Sequence, residues 1–225
     1  MNSGKSSLEE IRKKRIKQQI IMISSVFCLI ILITGFISYN LAANVLREQL
    51  VLKCKAIALT VASVIASDSN GYEDFLNTFD TESDYYNRIK ELMMEIKKAN
   101  VDQVFYIYTE ARVDKDTMMY VIGGEDPSNP MYTAPGVEDK LVDANREAYD
   151  KQIPVTSMNF EDTKYGVRLS AYAPIFHKET GEFLGLAGAD ITKLQYSNVM
   201  KIILFETIAS IIILLIFFGL IVLLF

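Results

Sequence analysis

The chain has 225 residues, of which 50% are hydrophobic and 23% are charged, and its formal net charge is −5. These values argue against a disordered chain, which combines low hydrophobicity with high net charge. They also argue against nucleic acid as a partner, because the middle of the chain is acidic and has no basic stripe. The hydrophobic residues include two long runs, one near each end. This distribution predicts a membrane protein with one water-facing domain.

Two transmembrane helices are predicted, at residues 19–41 and 201–225. Each segment supplies about 20 mostly apolar residues, the length of helix that spans the hydrocarbon core of a bilayer. An uncleaved anchor is the preferred interpretation of the first segment, because its apolar run is longer than that of a cleaved signal peptide. The second run continues to the last residue. We therefore expect a cytoplasmic output domain to be absent or truncated.

The distribution of charge predicts the orientation of the chain in the cell membrane. Residues 1–18 contain six basic and two acidic residues, a net charge of +4. Residues 42–198 contain 16 basic and 25 acidic residues, a net charge of −9. The positive-inside rule therefore places the N-terminal basic tail in the cytoplasm and residues 42–198, the predicted outer domain, on the extracellular side.

The predicted outer domain has an α+β pattern. A long helix at residues 42–66 continues the first span, and a second helix at residues 84–98 begins after Ser83, a favourable N-cap residue. Alternating and β-branched segments then predict an antiparallel sheet with the helices on one side. Its remaining elements are a hairpin (104–109 and 118–122), a short helix (137–150), a crossing strand (153–160) and a terminal hairpin (166–176 and 182–192).

The long helix carries a heptad-spaced apolar seam, formed by Leu50, Cys54, Ile57, Val61 and Val64. Such a seam is typical of helices that pack against a partner helix. It is expected either to meet a second subunit, giving a homodimer, or to pack on the sheet of its own domain. Cys54 is correspondingly either a thiol that cross-links two subunits or a small buried apolar residue.

Residues for catalysis are scarce in this segment. The only histidine is His177, in a predicted turn, so neither a catalytic triad nor a zinc site can be assembled from the sequence. A solvated turn residue is the expected state of His177. We expect no metal, no cofactor and no enzymatic activity here, although a missing output domain could be a kinase or a cyclase.

The strand pattern nevertheless predicts a binding pocket. A charged residue such as Asp190 within an apolar strand is costly to bury unless it is paired or bound to a ligand. Arg168 and Asp190 would suit a small zwitterion, with the arginine on a carboxylate and the aspartate on an amine. The alternative is that Asp190 caps the strand end and that Arg168 reaches solvent or pairs with a nearby acid. The predicted ligand-binding residues are Tyr106, Tyr108, Tyr120, Arg168, Ser170, Tyr172 and Asp190.

Residues 165–175 (YGVRLSAYAPI), a turn with Gly181 and residues 185–191 (GLAGADI) resemble the end of Cache domains. These are the extracytoplasmic PAS-like sensor modules of bacterial chemoreceptors, sensor histidine kinases and diguanylate cyclases. The resemblance implies a single PAS-like domain between two transmembrane helices. In amino-acid-binding members of the wider family, an aspartate of the last strand holds the ligand amine and a tyrosine of the preceding strand lines the pocket. Asp190 and Tyr172 match these two positions.

Together the residues and the resemblance predict a membrane-anchored sensor. It would bind a small polar metabolite, an amino acid or a carboxylate, and transmit the signal through the second transmembrane helix. Its expected partners are the small-molecule ligand, the membrane, a second copy of the chain, and a cytoplasmic signalling module in cis or in trans. The alternative is a non-sensing docking or assembly protein anchored in the membrane without an output domain.

Overall fold

The computed structural model describes residues 3–100, 104–157, 159–163 and 165–224. The chain divides into two compact units. We call Met1–Val45 with Asn198–Phe225 the helical unit, and Leu46–Ser197 the sheet domain. The sheet domain covers most of the predicted outer domain.

The helical unit consists of parts of two long helices, α1 (Ser3–Ser67) and α5 (Lys193–Leu224). Both contain stretches that are long and apolar enough to cross a membrane. Almost none of the side chains of these stretches is buried, unlike those of a core helix in a soluble protein. Within the unit, the ring of Phe27 stacks on that of Phe218 at 4.3 Å between centroids. These features fit a membrane protein with two spans.

The described part of the sheet domain also contains the helices α2 (Ser69–Thr78), α3 (Asp84–Ala99) and α4 (Asp143–Lys151). The predicted cap of α3 is present, since the Ser83 hydroxyl accepts a hydrogen bond from the backbone N–H of Tyr86 at 3.3 Å. Helix α2 was not predicted. It begins at Ser69, directly after α1, and its buried Tyr72 and Phe75 anchor it to the core.

Within the described residues, seven strands form one antiparallel sheet: β1 (Tyr106–Arg112), β2 (Thr117–Gly123), β3 (Glu138–Lys140), β4 (Val155–Thr156), β5 (Glu161–Thr163), β6 (Gly166–Phe176) and β7 (Phe183–Thr192). Their order is β3-β2-β1-β7-β6-β4, and β5 pairs with β6 beside β4. The predicted terminal hairpin is present as β6 and β7, and the predicted hairpin at 104–109 and 118–122 is present as β1 and β2. The elements between β2 and the terminal hairpin differ from the prediction. The predicted helix at 137–150 begins only at residue 143, because the residues before it pair with β2.

The two faces of the sheet carry different side chains. One face packs with α1, α2 and α3 in an aliphatic core that includes Ile107, Leu169 and Ile191. The other face carries tyrosines and packs against α4, whose Ala148 and Tyr149 are buried there. The prediction that the helices lie on one side of the sheet is therefore wrong, because α4 covers part of the opposite face.

The heptad seam of α1 packs inside its own domain. Leu50, Cys54, Ile57 and Val61 are all buried in the aliphatic core. Of the two predicted alternatives, packing within the domain holds for these residues. The thiol of Cys54 is 1% exposed, and burial, followed by the negative charge of Asp190, raises its pKa to about 12. Cys54 is therefore a buried apolar residue and is not placed to cross-link subunits.

His177 is a structural residue and is not solvated, which corrects the sequence-based expectation. It is 5% exposed, and its Nδ1 accepts hydrogen bonds from the backbone N–H groups of Glu179 and Thr180, both at 3.3 Å. Its Nε2 lies 2.9 Å from Asn70 Oδ1 in α2. Because the side-chain oxygen of Asn70 is an acceptor, Nε2 of the ring donates to it. His177 thus ties the β6–β7 turn to α2.

Candidate functional site

A buried ion pair between Arg168 and Asp190 forms the centre of the candidate site. In the antiparallel register of β6 and β7, Ser170 of β6 lies opposite Asp190 of β7. Arg168 lies two residues before Ser170 on β6. Residues two apart point to the same face of a sheet. Arg168 Nη1 donates to Asp190 Oδ2 at 2.9 Å, and the two side chains are 3% and 2% exposed. Each charge is therefore shielded from water and depends on the other.

The guanidinium of Arg168 is engaged on other sides as well. Its Nη2 donates to the backbone carbonyl oxygen of Tyr165 at 2.8 Å. Its carbon Cζ lies 3.9 Å from the centroid of the Tyr106 ring, within the range of a cation–π contact. The sequence left two interpretations open for this arginine, a ligand carboxylate or a nearby acid. In the structure it pairs with a nearby acid, and that acid is Asp190.

Asp190 also receives a hydrogen bond from a tyrosine. The Tyr108 hydroxyl donates to Asp190 Oδ1 at 3.1 Å and lies 3.5 Å from the hydroxyl of Tyr172. Burial raises the pKa of the Asp190 carboxyl, and the charge of Arg168 offsets this only in part. Burial, followed by the negative charge of Asp190, raises the pKa of Tyr108 and of Tyr172 well above the ordinary tyrosine value. Both hydroxyls are therefore protonated at neutral pH.

A glycine makes room for this arrangement. Gly188 of β7 lies between Tyr108 and Tyr172 in the register of β1, β7 and β6. A Cβ atom at position 188 would lie 2.5 Å from Cε2 of the Tyr108 ring. The ring of Tyr108 can lie across β7, with its hydroxyl at Asp190, only because position 188 has no side chain.

A cavity of about 330 Å³ opens beside the ion pair. Its volume is in the range of pockets for small molecules. Five of the seven predicted residues line it, and the others are polar residues of β3, α4 and β5 together with three apolar ones. The lining consists of Tyr108, Met118, Tyr120, Asp139, Lys140, Leu141, Val142, Asn145, Asp162, Thr163, Arg168, Tyr172 and Asp190.

The other two predicted residues, Tyr106 and Ser170, lie next to this cavity. Tyr106 lines a smaller cavity of about 30 Å³, which shares Tyr108, Tyr120 and Arg168 with the first. Ser170 is 1% exposed and lies opposite Asp190, and its backbone N–H donates to the hydroxyl of Ser157 at 2.8 Å. Tyr106 therefore contacts the ion pair through the face of its ring, and Ser170 lies beside Asp190 on the neighbouring strand.

Four polar residues at the rim of the cavity were missed from the sequence: Asp139 and Lys140 of β3, and Asp162 and Thr163 of β5. Both strands are only three residues long. No alternation can be recognised over three residues, so the sequence carried no signal for them. The pairing of these strands with β2 and β6 brings them to the cavity.

A second buried acid, Glu110, lies behind the cavity and was also missed. It is 0% exposed, and Asn145 Nδ2 donates to its Oε1 at 3.2 Å. Among the atoms that the structure describes, its Oε2 has no hydrogen-bond partner. Burial raises the pKa of Glu110 to about 8, and the charge of Asp190 adds to the increase. The sequence signal for Glu110 was an acidic residue next to the apolar run of β1. The strand extends beyond the predicted range 104–109, to Arg112, and so includes Glu110.

Comparison with known proteins gives similarities to solved structures only. No family model matches the chain, and no curated protein matches it. The extracellular domain of the putative histidine kinase mmHK1S-Z2 is 16% identical with a TM-score of 0.40, over 67% of this chain and 56% of that one. The ligand-binding domain of the amino acid chemoreceptor PctC of Pseudomonas aeruginosa PAO1, in complex with GABA, is 14% identical with a TM-score of 0.35, over 67% of each chain.

A third similar structure is an IclR family transcriptional regulator from Brucella abortus, 14% identical with a TM-score of 0.34, over 65% of this chain and 67% of that one. The histidine kinase and chemoreceptor neighbours are Cache-like extracellular sensor domains, the class that the terminal hairpin resembles. At these identities and TM-scores the neighbours carry no conclusion about a ligand or an activity.

Proposed function

We propose that this chain is a membrane-anchored sensor whose sheet domain binds a small polar metabolite in the cavity beside Asp190. The observation that carries the proposal is the buried Arg168–Asp190 pair, which forms one side of a tyrosine-lined cavity of about 330 Å³. Burying such a pair costs more than packing apolar residues of the same volume. A polar cavity with buried charges is better explained by ligand binding than by stability alone.

Of the ligand classes expected from the sequence, an amino group fits the cavity better than a lone carboxylate. The positive charge of Arg168 is already matched by Asp190. Asp139 and Asp162 add two further carboxylates to the lining, against the single additional cation Lys140. An amino acid would bring an ammonium group to these acceptors.

The connection between the site and α5 provides a route for the signal. Asp190 lies two residues before the end of β7, and α5 follows at once. At the junction the Thr192 hydroxyl accepts from the Gln195 backbone N–H at 3.2 Å, and the Gln195 side chain accepts from the Thr192 backbone N–H at 3.1 Å. This reciprocal cap makes the junction stiff. If β7 can take two positions and the ligand has a higher affinity for one of them, binding shifts the population towards that position. Because α5 follows β7 directly, it would move with the strand.

The remaining partners and the orientation stay predictions. The cytoplasmic N-terminus rests on the positive-inside rule, and the cytoplasmic module on the Cache resemblance. For a homodimer, the exposed face of α1 with Leu52 (51% exposed) and Leu59 (42% exposed) is the available surface, because the seam residues are buried. These two leucines are seven residues apart and so lie on one side of the helix.

A non-sensing docking protein would have no need of a polar cavity with a buried ion pair.

The experiment that tests the proposal is thermal unfolding of the full chain in lipid nanodiscs, against a panel of amino acids, amines and carboxylates. A ligand at 100 times its Kd stabilises the folded state by about 2.7 kcal/mol. We expect at least one panel member to do so, and Asp139→Asn at the rim to weaken its binding. Glu138→Gln is the matched control, because Glu138 is an exposed neighbour on β3 outside the cavity. Equal effects of the two substitutions would place the binding elsewhere.

A further inference from the structure

A second cavity, separate from the one in the sheet domain, lies between the two apolar helices of the helical unit. It has a volume of about 520 Å³, and its lining runs from Phe27 to Ser38 on α1 and from Ile203 to Leu214 on α5, eleven positions on each helix. At 1.5 Å per residue this is about 16 Å, roughly half of the hydrocarbon thickness of a bilayer. We call this cavity the span groove. Its length matches a molecule that occupies one leaflet, whereas a partner helix that crosses the bilayer would need a groove about twice as long.

The span groove is polar at one end and apolar at the other. Its apolar end is lined by residues such as Ile31 and Leu214, and it finishes at Phe27, whose ring stacks on that of Phe218. Its polar end is the end from which both helices continue into the sheet domain, and the polar and small residues there are Thr34, Gly35, Ser38, Glu206, Thr207 and Ser210. An amphiphile with a polar head and an aliphatic chain has the same division.

Glu206 is the one charged residue in the two apolar runs, residues 20–41 and 202–225. A charged side chain inside a bilayer is costly unless it is paired, and such residues generally mark a binding site or a pathway. Within the described residues its carboxyl group forms no hydrogen bond or ion pair, and only its backbone carbonyl oxygen accepts from a side chain, that of Ser210. The carboxyl group is therefore available to a ligand in the span groove.

The neighbouring hydroxyl groups are acceptors for such a ligand. Those of Thr34, Thr207 and Ser210 each donate to the backbone carbonyl oxygen four residues earlier, at 2.8 Å in each case. A hydroxyl group has one proton and two lone pairs, so these three oxygens can still accept hydrogen bonds. An ammonium group supplies three N–H donors and a positive charge to this set. A carboxylate or a phosphate supplies only acceptors and would be repelled by Glu206.

We propose that the span groove binds a lipid-soluble primary amine, with its ammonium group at Glu206 and its aliphatic chain along the apolar end. Glu206 lies about one turn inside the apolar run, so the ammonium group must be joined directly to the aliphatic chain. The ammonium group of a phospholipid headgroup is separated from the acyl chains by a phosphate and lies further out. The site is distinct from the cavity beside Asp190, and the inference does not depend on the proposed sensor function.

The test uses four amphiphiles with the same chain and different heads: dodecylamine, dodecyltrimethylammonium, dodecanol and dodecanoate. Each is titrated into the full chain in phosphatidylcholine nanodiscs, and native mass spectrometry counts the molecules that stay bound to the chain. We expect one dodecylamine per chain, bound about tenfold or more tightly than the alcohol or the trimethylammonium compound, which has the charge but no N–H donor. Dodecanoate is expected not to bind. Binding of the trimethylammonium compound or of dodecanoate as tight as that of dodecylamine would overturn the inference.

Variants locate the binding. Glu206→Gln keeps the shape of the side chain and is expected to weaken dodecylamine about tenfold or more, and Ser210→Ala about fivefold. Ser25→Ala is the matched control, because Ser25 makes the same type of bond, to the carbonyl oxygen of Ile21, outside the span groove. It is expected to change nothing. Equal binding by the wild type and Glu206→Gln would overturn the inference.

Two other occupants of the span groove are separated by the same assay. In phosphatidylethanolamine nanodiscs dodecylamine is expected to bind as before. Loss of binding there would mean that the headgroup amine of the lipid occupies the site, and the inference would be wrong. A dimer of the chain that depends on Glu206 and excludes dodecylamine would overturn it as well, since the groove would then be an interface between two copies.

Discussion

Replacing Asp190 with asparagine is expected to destabilise the sheet domain by about 3–5 kcal/mol, the usual cost of leaving one partner of a buried ion pair without the other. Arg168 is 3% exposed as a side chain and would keep its positive charge, since a guanidinium does not deprotonate in proteins. The asparagine has one acceptor oxygen, so it can keep only one of the two hydrogen bonds that Asp190 accepts, and the negative charge is lost. Chemical denaturation of the full chain in nanodiscs, monitored by tyrosine fluorescence in a chain without tryptophan, measures the change.

Two controls accompany this substitution. Asp150→Asn removes the acid of an exposed ion pair with Arg112 and is expected to cost less than about 1 kcal/mol. The double variant Asp190→Asn with Arg168→Met is expected to recover most of the lost stability, because it leaves no buried charge unpaired. A loss at Asp190 no larger than that at Asp150 would mean that the pair is not buried as described.

Glu110 makes the stability of the sheet domain depend on pH in a direction opposite to that of most carboxyl groups. Its pKa is raised from 4.5 to about 8 in the folded chain. Between these values the folded state binds a proton that the unfolded state has lost, so stability falls as pH rises. The expected slope is about 1.4 kcal/mol per pH unit, on the order of 5 kcal/mol over the whole window.

Glu110→Gln removes this contribution and is the variant to measure. The amide has nearly the shape of the protonated acid and can keep the contact with Asn145, so the variant is expected to lose much less stability than the wild type between pH 5 and pH 8. Asp190 has a raised pKa as well, and the difference between the two proteins isolates Glu110. Parallel stability curves for the two proteins would show that Glu110 is ionised when folded.

The terminal hairpin was predictable because its residues follow one strict rule. Alternation along β6 and β7 places Arg168, Tyr172 and Asp190 on one face, and the structure shows that face at the cavity. A charged residue within an apolar strand is rare, so the sequence alone marked Asp190 as a candidate site residue. The cap of α3 at Ser83 was predictable for a similar reason, since it depends on residues close together in the chain.

The features that were missed depend on contacts between distant segments. Asp139 and Asp162 reach the cavity through strands too short to show a period. His177 was expected in solvent because nothing near it in sequence indicates that α2 covers the turn. The pairing of Arg168 with Asp190 could not be separated from ligand binding by pattern alone, because both interpretations place two opposite charges on adjacent strands.

The central claim is that a ligand in the cavity acts on β7 and through it on α5, and hydrogen exchange of the full chain in nanodiscs tests it most directly. The tightest ligand of the panel is added at saturation, and exchange is followed by mass spectrometry. We expect slower exchange in β7 and at the Thr192–Gln195 junction, with little change in α2, which lies on the opposite face of the sheet. Protection limited to the cavity walls, with the junction unchanged, would contradict transmission through α5, and no protection around Asp190 would contradict the site itself.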